Sequence, residues 1–173
     1  MKKSFFLFTA LCFTFITQAQ TSPIDEMFNK YSDRDGFTVV TISSRMLSMF
    51  AGNDPETNDA DDIMRRLKSI RILSVGDSLL NEKINFYTEL SRKLDLSVYE
   101  ELLAVKEGHD VTKFLIRQKG DRISELLIIT GGPGGNSLIS IQGDLNLKNI
   151  SELSKNIDNK DIKKLDRLEK NHP

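Results

Sequence analysis

The sequence predicts an α+β fold, a two-layer sandwich in which helices cover one face of a mixed, mostly antiparallel sheet. Two observations favour this class. Four short β-type runs in the C-terminal half are joined by gaps of a few residues that contain glycine, which is typical of hairpins in a meander. Two earlier β-type runs are separated by amphipathic helices, so they add strands to the same sheet.

The first nineteen residues have the layout of a secretory signal peptide. Two lysines precede an apolar run at 5–16, and Thr17 and Ala19 place small residues at the positions that a signal peptidase reads. The run is shorter than the roughly 20 apolar residues of a membrane span, and Cys12 lies inside it without the small preceding residue of a lipoprotein signal. We therefore expect export, periplasmic or secreted, with cleavage near Ala19 and no stable membrane insertion afterwards.

The N-terminal elements follow from local signals. The spacing predicts a helix over 23–31, with Ser22 as its N-cap and Pro23 at its first position. Its apolar face consists of Ile24, Met27, Phe28 and Tyr31. A β-branched run over 37–42 predicts the first strand, and a short helix is expected over 45–50.

Two further helices and a strand are expected before the meander. After a polar, acidic loop, a helix over 63–69 is expected to bury Ile63, Met64, Leu67 and Ile70. The second strand spans 70–75, and a long helix is predicted over 79–94. The buried positions of that helix are Leu80, Ile84, Tyr87, Leu90 and Leu94. The helices over 63–69 and 79–94 are expected to cover the same face of the sheet.

The C-terminal half predicts a four-stranded antiparallel meander. Its strands are expected at 99–106, 111–118, 123–130 and 137–142, with Leu127 in the core. A last helix begins at Asn146, where Leu145 and Ile150 form a hydrophobic staple. The expected organisation is a signal peptide at 1–19, one α+β domain at 20–157 and a charged C-terminal tail at 158–173.

Composition excludes several classes of function. Removal of the leader leaves 154 residues with 22 basic and 25 acidic side chains, and the two signs are interspersed. The chain has no basic stripe for nucleic acid and no polybasic membrane patch. The single cysteine leaves with the leader, which excludes thiol catalysis and thiolate metal sites in the mature chain.

No catalytic, cofactor-binding or metal-ligating residue is predicted. His109 falls in a hairpin turn and His172 is next to last, so no paired-histidine metal motif is possible. Asp33, Asp35 and Gly36 resemble part of a calcium loop, but the acidic first ligand and the bidentate Glu are missing. We interpret these residues as a tight turn.

Two further segments invite a ligand-binding interpretation. An acidic cluster consists of Asp54, Glu56, Asp59, Asp61 and Asp62, and its spacing matches no ordered cation site. Its last two residues suit the start of a helix, where the dipole favours negative charge. The glycines of 131–135 lead into a strand without a following lysine, which indicates a hairpin tip rather than a phosphate loop. The glycosylation triplet at 149–151 lies within the last predicted helix and carries no weight.

The order of features from residue 28 onward resembles an uncharacterised family of exported Bacteroidota proteins, domain of unknown function 4252. The resemblance rests on FNKY at 28–31, ILS at 72–74, YEEL at 99–102, VK at 105–106, ELL at 125–127 and GDL at 143–145. It implies a secreted or lipid-anchored envelope protein with no assigned catalytic residues. Many members look like lipoproteins, whereas this leader ends without a cysteine, which favours a free form.

Two classes of function stay open. The first is a non-enzymatic envelope protein that binds a protein, a peptide or a surface polymer, which the absence of site chemistry favours. The alternative is a carboxylate-based hydrolase that acts on an envelope or extracellular polymer, because two acidic residues in a cleft can suffice for hydrolysis. A pocket with two facing acids would favour the hydrolase.

Overall fold

The computed structural model describes residues 21–51 and 59–146. One antiparallel sheet of six strands organises this part of the chain, in the order β1-β2-β6-β5-β4-β3. Its strands are β1 Phe37–Ser43, β2 Leu67–Val75, β3 Glu100–Glu107, β4 Asp110–Lys119, β5 Arg122–Gly131 and β6 Ser137–Leu145. The predicted meander is confirmed as β3 to β6, and the α+β class is confirmed with it.

Within the described residues, five short α-helices and one 3₁₀ turn precede or connect the strands. They are α1 Pro23–Tyr31, α2 Ser44–Phe50, α3 Asp59–Arg66, α4 Ser78–Asn81, α5 Phe86–Ser91 and the 3₁₀ turn Leu96–Val98. The helix predicted over 23–31 is confirmed, because the Ser22 side chain accepts from the Asp25 amide and Pro23 opens the helix. The predicted helix from Asn146 and the tail at 158–173 lie outside the described residues.

The helices lie on both faces of the sheet, which corrects the expectation of one covered face. We call one face the α1 face: α1 and α5 pack there against Leu73, Leu115, Leu127, Ile129 and Leu138. We call the other the α2 face: Leu47 of α2 and Ile63 of α3 pack there against Ile70, Phe114, Leu126, Ile128, Ile139 and Ile141. Both faces of the central strands are apolar, so each face requires a cover.

Two helix predictions are wrong in their bounds. The helix expected over 63–69 ends at Arg66, and the chain enters β2 at Leu67, which pairs with Gly143 of β6. The apolar positions 63, 67 and 70 fit helical spacing, but pairing with two neighbouring strands extends β2 at the expense of the helix. Sheet pairing therefore overrides the local periodicity here.

The long helix expected over 79–94 is two short helices. Asn85 interrupts it, because its backbone is extended and its side chain accepts from the Thr88 amide as the N-cap of α5. The Phe86 amide, at the first position of α5, donates to the Asn136 side chain at 2.8 Å. On the α1 face, Glu89 of α5 then binds Lys30 and Tyr31 of α1 at 2.6 and 2.7 Å.

Candidate functional site

A polar pocket of about 490 Å³ lies on the α1 face. Its walls are the start of α1, the segment 93–95, the 3₁₀ turn with Tyr99, and three side chains of the sheet, Arg117, Glu125 and Gln142. We call it the Glu125 pocket, because the carboxylate of Glu125 lies at its base with only 1% of the residue exposed. Such a buried carboxylate must be paired or hydrogen-bonded, since desolvation of an isolated charge is very costly.

Four donors surround the Glu125 carboxylate. Its Oε1 accepts from Ser140 Oγ at 2.9 Å and from Gln142 Nε2 at 3.3 Å. Its Oε2 accepts from the Tyr99 hydroxyl at 2.8 Å and pairs with Arg117 Nη2 at 3.1 Å. A carboxylate offers about four lone-pair sites, so this one is fully occupied by the protein. The group is therefore suited to hold β4, β5, β6 and Tyr99 together rather than to bind a substrate.

Tyr99 stays a hydrogen-bond donor over the whole physiological range of pH. Burial and the neighbouring Glu125 carboxylate both raise the pKa of its phenol, and the Arg117 guanidinium only partly opposes them. That guanidinium lies 5.8 Å from the centroid of the Tyr99 ring, within reach of a cation–π contact.

A second carboxylate, that of Asp25, lines the same pocket. Arg71 Nη1 binds its Oδ1 at 2.5 Å, and the Ser22 hydroxyl donates to its Oδ2 at 2.9 Å. Burial alone raises the pKa of Asp25, but these hydrogen bonds and the Arg71 charge lower the pKa below its usual range. A general acid needs a raised pKa. Glu125 and Asp25 are thus each held by an arginine. The third acid of this pocket, Asp95, accepts from the Ser97 amide and hydroxyl at 3.0 and 2.6 Å, and the arrangement of the three does not favour hydrolysis.

A second pocket, of about 420 Å³, lies on the α2 face beside the loop 132–136. We call it the glycine-loop pocket. Its wall is polar and consists of Ser74, Asn81, Glu107, Asp110, Thr112, Thr130, Asn136 and Ser137, with Val75, Gly134 and Gly135. Asn136, 3% exposed, holds the loop, because its Nδ2 donates to the Gly132 carbonyl and to Asn81 Oδ1, each at 3.0 Å.

The glycine loop is built around an acid. The Gly134 amide donates to Asp110 Oδ1 at 2.8 Å. A Cβ at Gly132 would lie 2.8 Å from the Asp110 Cα, so the close approach of the loop to the β3–β4 hairpin requires glycine there. A carboxylate in this position takes up an amide that a phosphate would need, and it repels an anion. The loop leads into β6, which agrees with its interpretation as a hairpin tip.

The other candidate residues from the sequence are spread over the surface. His109 is exposed in the turn between β3 and β4, and Asp33 and Asp35 are exposed in the turn that precedes β1. Asp62 pairs with Arg66 within α3 at 2.8 Å. Asp54 and Glu56, and the side chain of Asp59, lie outside the described residues. Within the described ranges no three metal-ligating side chains come together.

Large apolar side chains are exposed on α2 and β1. Met49 and Phe50 are 74% and 65% exposed, and Met46 and Val40 are 45% and 40% exposed. Met46, Met49 and Phe50 follow i, i+3, i+4 spacing, so they share the outward side of α2, while Leu47 points into the core. Ile42 packs into the same core cluster as Leu47, so Val40, two residues earlier, is on the α2 face too. We call these four residues the α2–β1 surface.

The fold and these sites define a class: an antiparallel α+β domain with polar pockets and an apolar surface at one edge of its sheet. The profile of the family described as Domain of unknown function (DUF4252) matches residues 31–153. The chain belongs to this family, and the resemblance seen in the sequence is confirmed. Comparison with the curated proteins and with the solved structures found no match.

Proposed function

We propose that the protein is exported and acts in the cell envelope, or outside it, as a binding module without catalytic activity of its own. The observation that carries this proposal is the α2–β1 surface. Large apolar side chains grouped on one surface are typical of protein–protein contact. Methionine suits such a surface, because its flexible thioether adapts to the shape of a partner.

The exposed side chains are large enough to contribute to affinity. Met49 and Phe50 leave 74% and 65% of their area in water. Full burial of a side chain of this size contributes about 1.5–3 kcal/mol. By contrast, the Glu125 pocket offers a ligand few free polar groups, because its three carboxylates, those of Asp25, Asp95 and Glu125, already accept from protein donors.

The leader supports the exported part of the proposal. It has the features of a cleaved signal peptide: a positively charged start, an apolar run at 5–16 and a cleavage site at Ala19. In the described ranges, no helix combines the length and the apolar character needed to cross a membrane. Intact-mass measurement after cell fractionation tests export. We expect a chain that begins at Gln20 or Thr21, and a full-length chain held in the membrane would contradict the proposal.

Site-specific photo-crosslinking tests the binding role. A photoreactive amino acid replaces Met49 in the full-length chain, and a matched chain carries it at Val98, an apolar residue 51% exposed at the opposite edge of the sheet. We expect a discrete adduct from position 49 in living cells and a much weaker one from position 98. Equal adducts at both positions, or none at either, would refute the α2–β1 surface as the binding site.

A further inference from the structure

The two outer strands of the sheet differ in their protection against pairing. β3 carries Glu100, Glu101, Lys106 and Glu107, and its register with β4 shifts between Glu101 and Leu103. β1, with the sequence FTVVTIS, has no charged residue and pairs with β2 over seven residues without a shift. Charges and bulges are the usual means by which proteins block edge-to-edge pairing. β3 has both, and β1 has neither.

The backbone of β1 has a regular open side. Gly36 O accepts from the Gly76 amide at 2.9 Å, so the alternate residues after Gly36, at 38, 40 and 42, direct their N–H and C=O groups to β2. The N–H and C=O groups of Val39 and Thr41 therefore point to the open edge, and so does the N–H of Ser43, whose C=O accepts the first bond of α2 as its N-cap. Among the described strands β2 is the one neighbour of β1.

We infer that β1 pairs antiparallel with β1 of a second copy of this chain, about a two-fold axis at Val40. This inference rests on the proposed binding function and names the partner at that surface. In this register Val39 of one copy lies opposite Thr41 of the other, and both direct their hydrogen-bonding groups outward. Val40 lies opposite Val40 as a non-hydrogen-bonded pair, where side chains are closest. The remaining pairs are Phe37 with Ser43 and Thr38 with Ile42.

Charge complementarity at the strand ends favours a second copy over an unrelated peptide. Asp35 precedes β1 and Arg45 follows it, so in this register Asp35 of each copy lies near Arg45 of the other. The two-fold symmetry gives two such pairs of opposite charge. Both residues are exposed, and neither forms an ion pair within the described ranges. A strand of seven uncharged residues with opposite charges at its two ends is complementary to itself.

The interface is small, so the dimer is expected to be weak. A single strand pair with the flanking α2–β1 surface falls in the lower size class of protein interfaces. We expect a dissociation constant on the order of 10 μM. Sedimentation equilibrium of the processed chain, from about 1 μM to about 500 μM, covers this range.

Substitution at the axis tests the pairing directly. Val40→Lys places two like charges opposite each other at the centre of the dimer, so we expect the dissociation constant to rise at least about tenfold. Val98→Lys is the matched control, and it should leave the dissociation constant unchanged. Circular dichroism and the melting temperature of both variants show whether the fold is retained. A parent chain that is monomeric at every concentration would overturn the inference, as would a dimer unaffected by Val40→Lys.

A disulfide trap tests the register even if Val40→Lys fails to fold. In a Cys12→Ser background, Val40→Cys brings two thiols together at the axis, at a Cα separation of about 4.5 Å that a disulfide accepts. We expect a disulfide-linked dimer on oxidation, and none from Val98→Cys. Asp35→Arg and Arg45→Asp should each weaken the dimer, and the double variant should restore it. Equal cross-linking at 40 and 98, or no restoration, would refute this register.

The outcomes separate the inference from the function on which it rests. If the photoreactive residue at position 49 captures a different protein while the chain stays monomeric, self-pairing is wrong and the binding role stands. If the photoreactive residue at position 49 captures only a second copy of this chain, self-pairing and the binding role are both supported. If the chain is monomeric and position 49 captures nothing, both are refuted.

Discussion

Replacement of Glu125 by alanine should destabilise the fold more than replacement of any surface acid. Ser140 is fully buried, so without Glu125 its hydroxyl loses its acceptor where water does not reach, at a cost of about 1–3 kcal/mol. The lost Tyr99 hydrogen bond adds about 0.5–1.5 kcal/mol. The Arg117 pair adds about 0–1 kcal/mol, because Arg117 is 47% exposed and water replaces its partner. We expect a total loss of about 1.5–5.5 kcal/mol.

Urea unfolding followed by far-UV circular dichroism measures this loss. Glu100→Ala is the matched control, since its carboxylate binds the exposed Gln118 amide and its removal should change the free energy of unfolding by no more than about 0.5 kcal/mol. Glu125→Gln keeps the shape but puts an NH₂ group against donors, so we expect an intermediate loss of about 1–2 kcal/mol. If Glu125→Ala costs no more than Glu100→Ala, the structural role of this carboxylate is refuted.

A double-mutant cycle isolates the Tyr99 contribution. Tyr99→Phe removes one hydroxyl whose partner is Glu125, so alone it should cost about 1 kcal/mol. In the Glu125→Ala background that partner is absent, and the cost of Tyr99→Phe should fall to near zero. Additive costs would show that the hydroxyl stabilises the fold through some other contact.

Three more predictions concern the core, the glycine loop and the response to pH. Leu127→Ala should lower the free energy of unfolding by about 2–5 kcal/mol in urea unfolding, because Leu127 is fully buried; a loss below about 1 kcal/mol would contradict its core position. Gly131→Ala should lower the melting temperature, since its Cβ would lie 2.6 Å from the Tyr87 amide nitrogen. In Gly76→Ala the Cβ would make only an ordinary contact, 3.8 Å from the Gly36 carbonyl oxygen, and the melting temperature should not fall; equal melting temperatures of the two variants would refute this steric argument. The pKa of Asp25 is lower in the native state than its value of 3.8 in the unfolded chain. Ionised Asp25 therefore contributes to the free energy of unfolding above pH 3.8, and this contribution is lost as the pH falls through the pKa of the folded state. The urea midpoint should therefore drop less for Arg71→Met than for the parent between about pH 7 and about pH 3, and equal drops would exclude this ion pair as a cause.

Local signals predicted the elements whose boundaries are set locally. Ser22 and Pro23 define the start of α1 through a cap and a fixed backbone angle, and the structure places the helix where they indicate. The meander was predictable for the same reason, because hairpin turns with glycine fix neighbouring strands. The elements that depend on distant partners were not predictable. Asn85 ends the preceding turn and caps α5, while the next amide, that of Phe86, donates to Asn136, fifty residues further along the chain.

The sequence contains an indication of the Glu125 pocket, namely a charged residue at a core position of β5. Hydrophobic periodicity alone does not show which residue pairs with it. In β5, positions 125, 127 and 129 share a face, and two of them are apolar, so Glu125 occupies a core position of an alternating strand. A charged residue at such a position predicts a partner that pairs with its charge. Its identity, Arg117 on β4 with Tyr99 beside it, depends on strand register and on the path of the chain before β3. The face that α5 covers depends on the same long-range packing.

The satisfied interior leaves recognition to the edge of the sheet. Both faces of the central strands lie under helices, and the carboxylates of the Glu125 pocket are occupied by protein donors, so binding there would first have to break existing contacts. The open side of β1 has no such cost, because its outward N–H and C=O groups exchange bonds with water for bonds with a partner strand. Each such exchange contributes only about 0.5–1.5 kcal/mol, which is why specificity must come from the flanking side chains. In this chain those are Val40 at the centre and the charges of Asp35 and Arg45 at the ends, which a second copy presents in the complementary order.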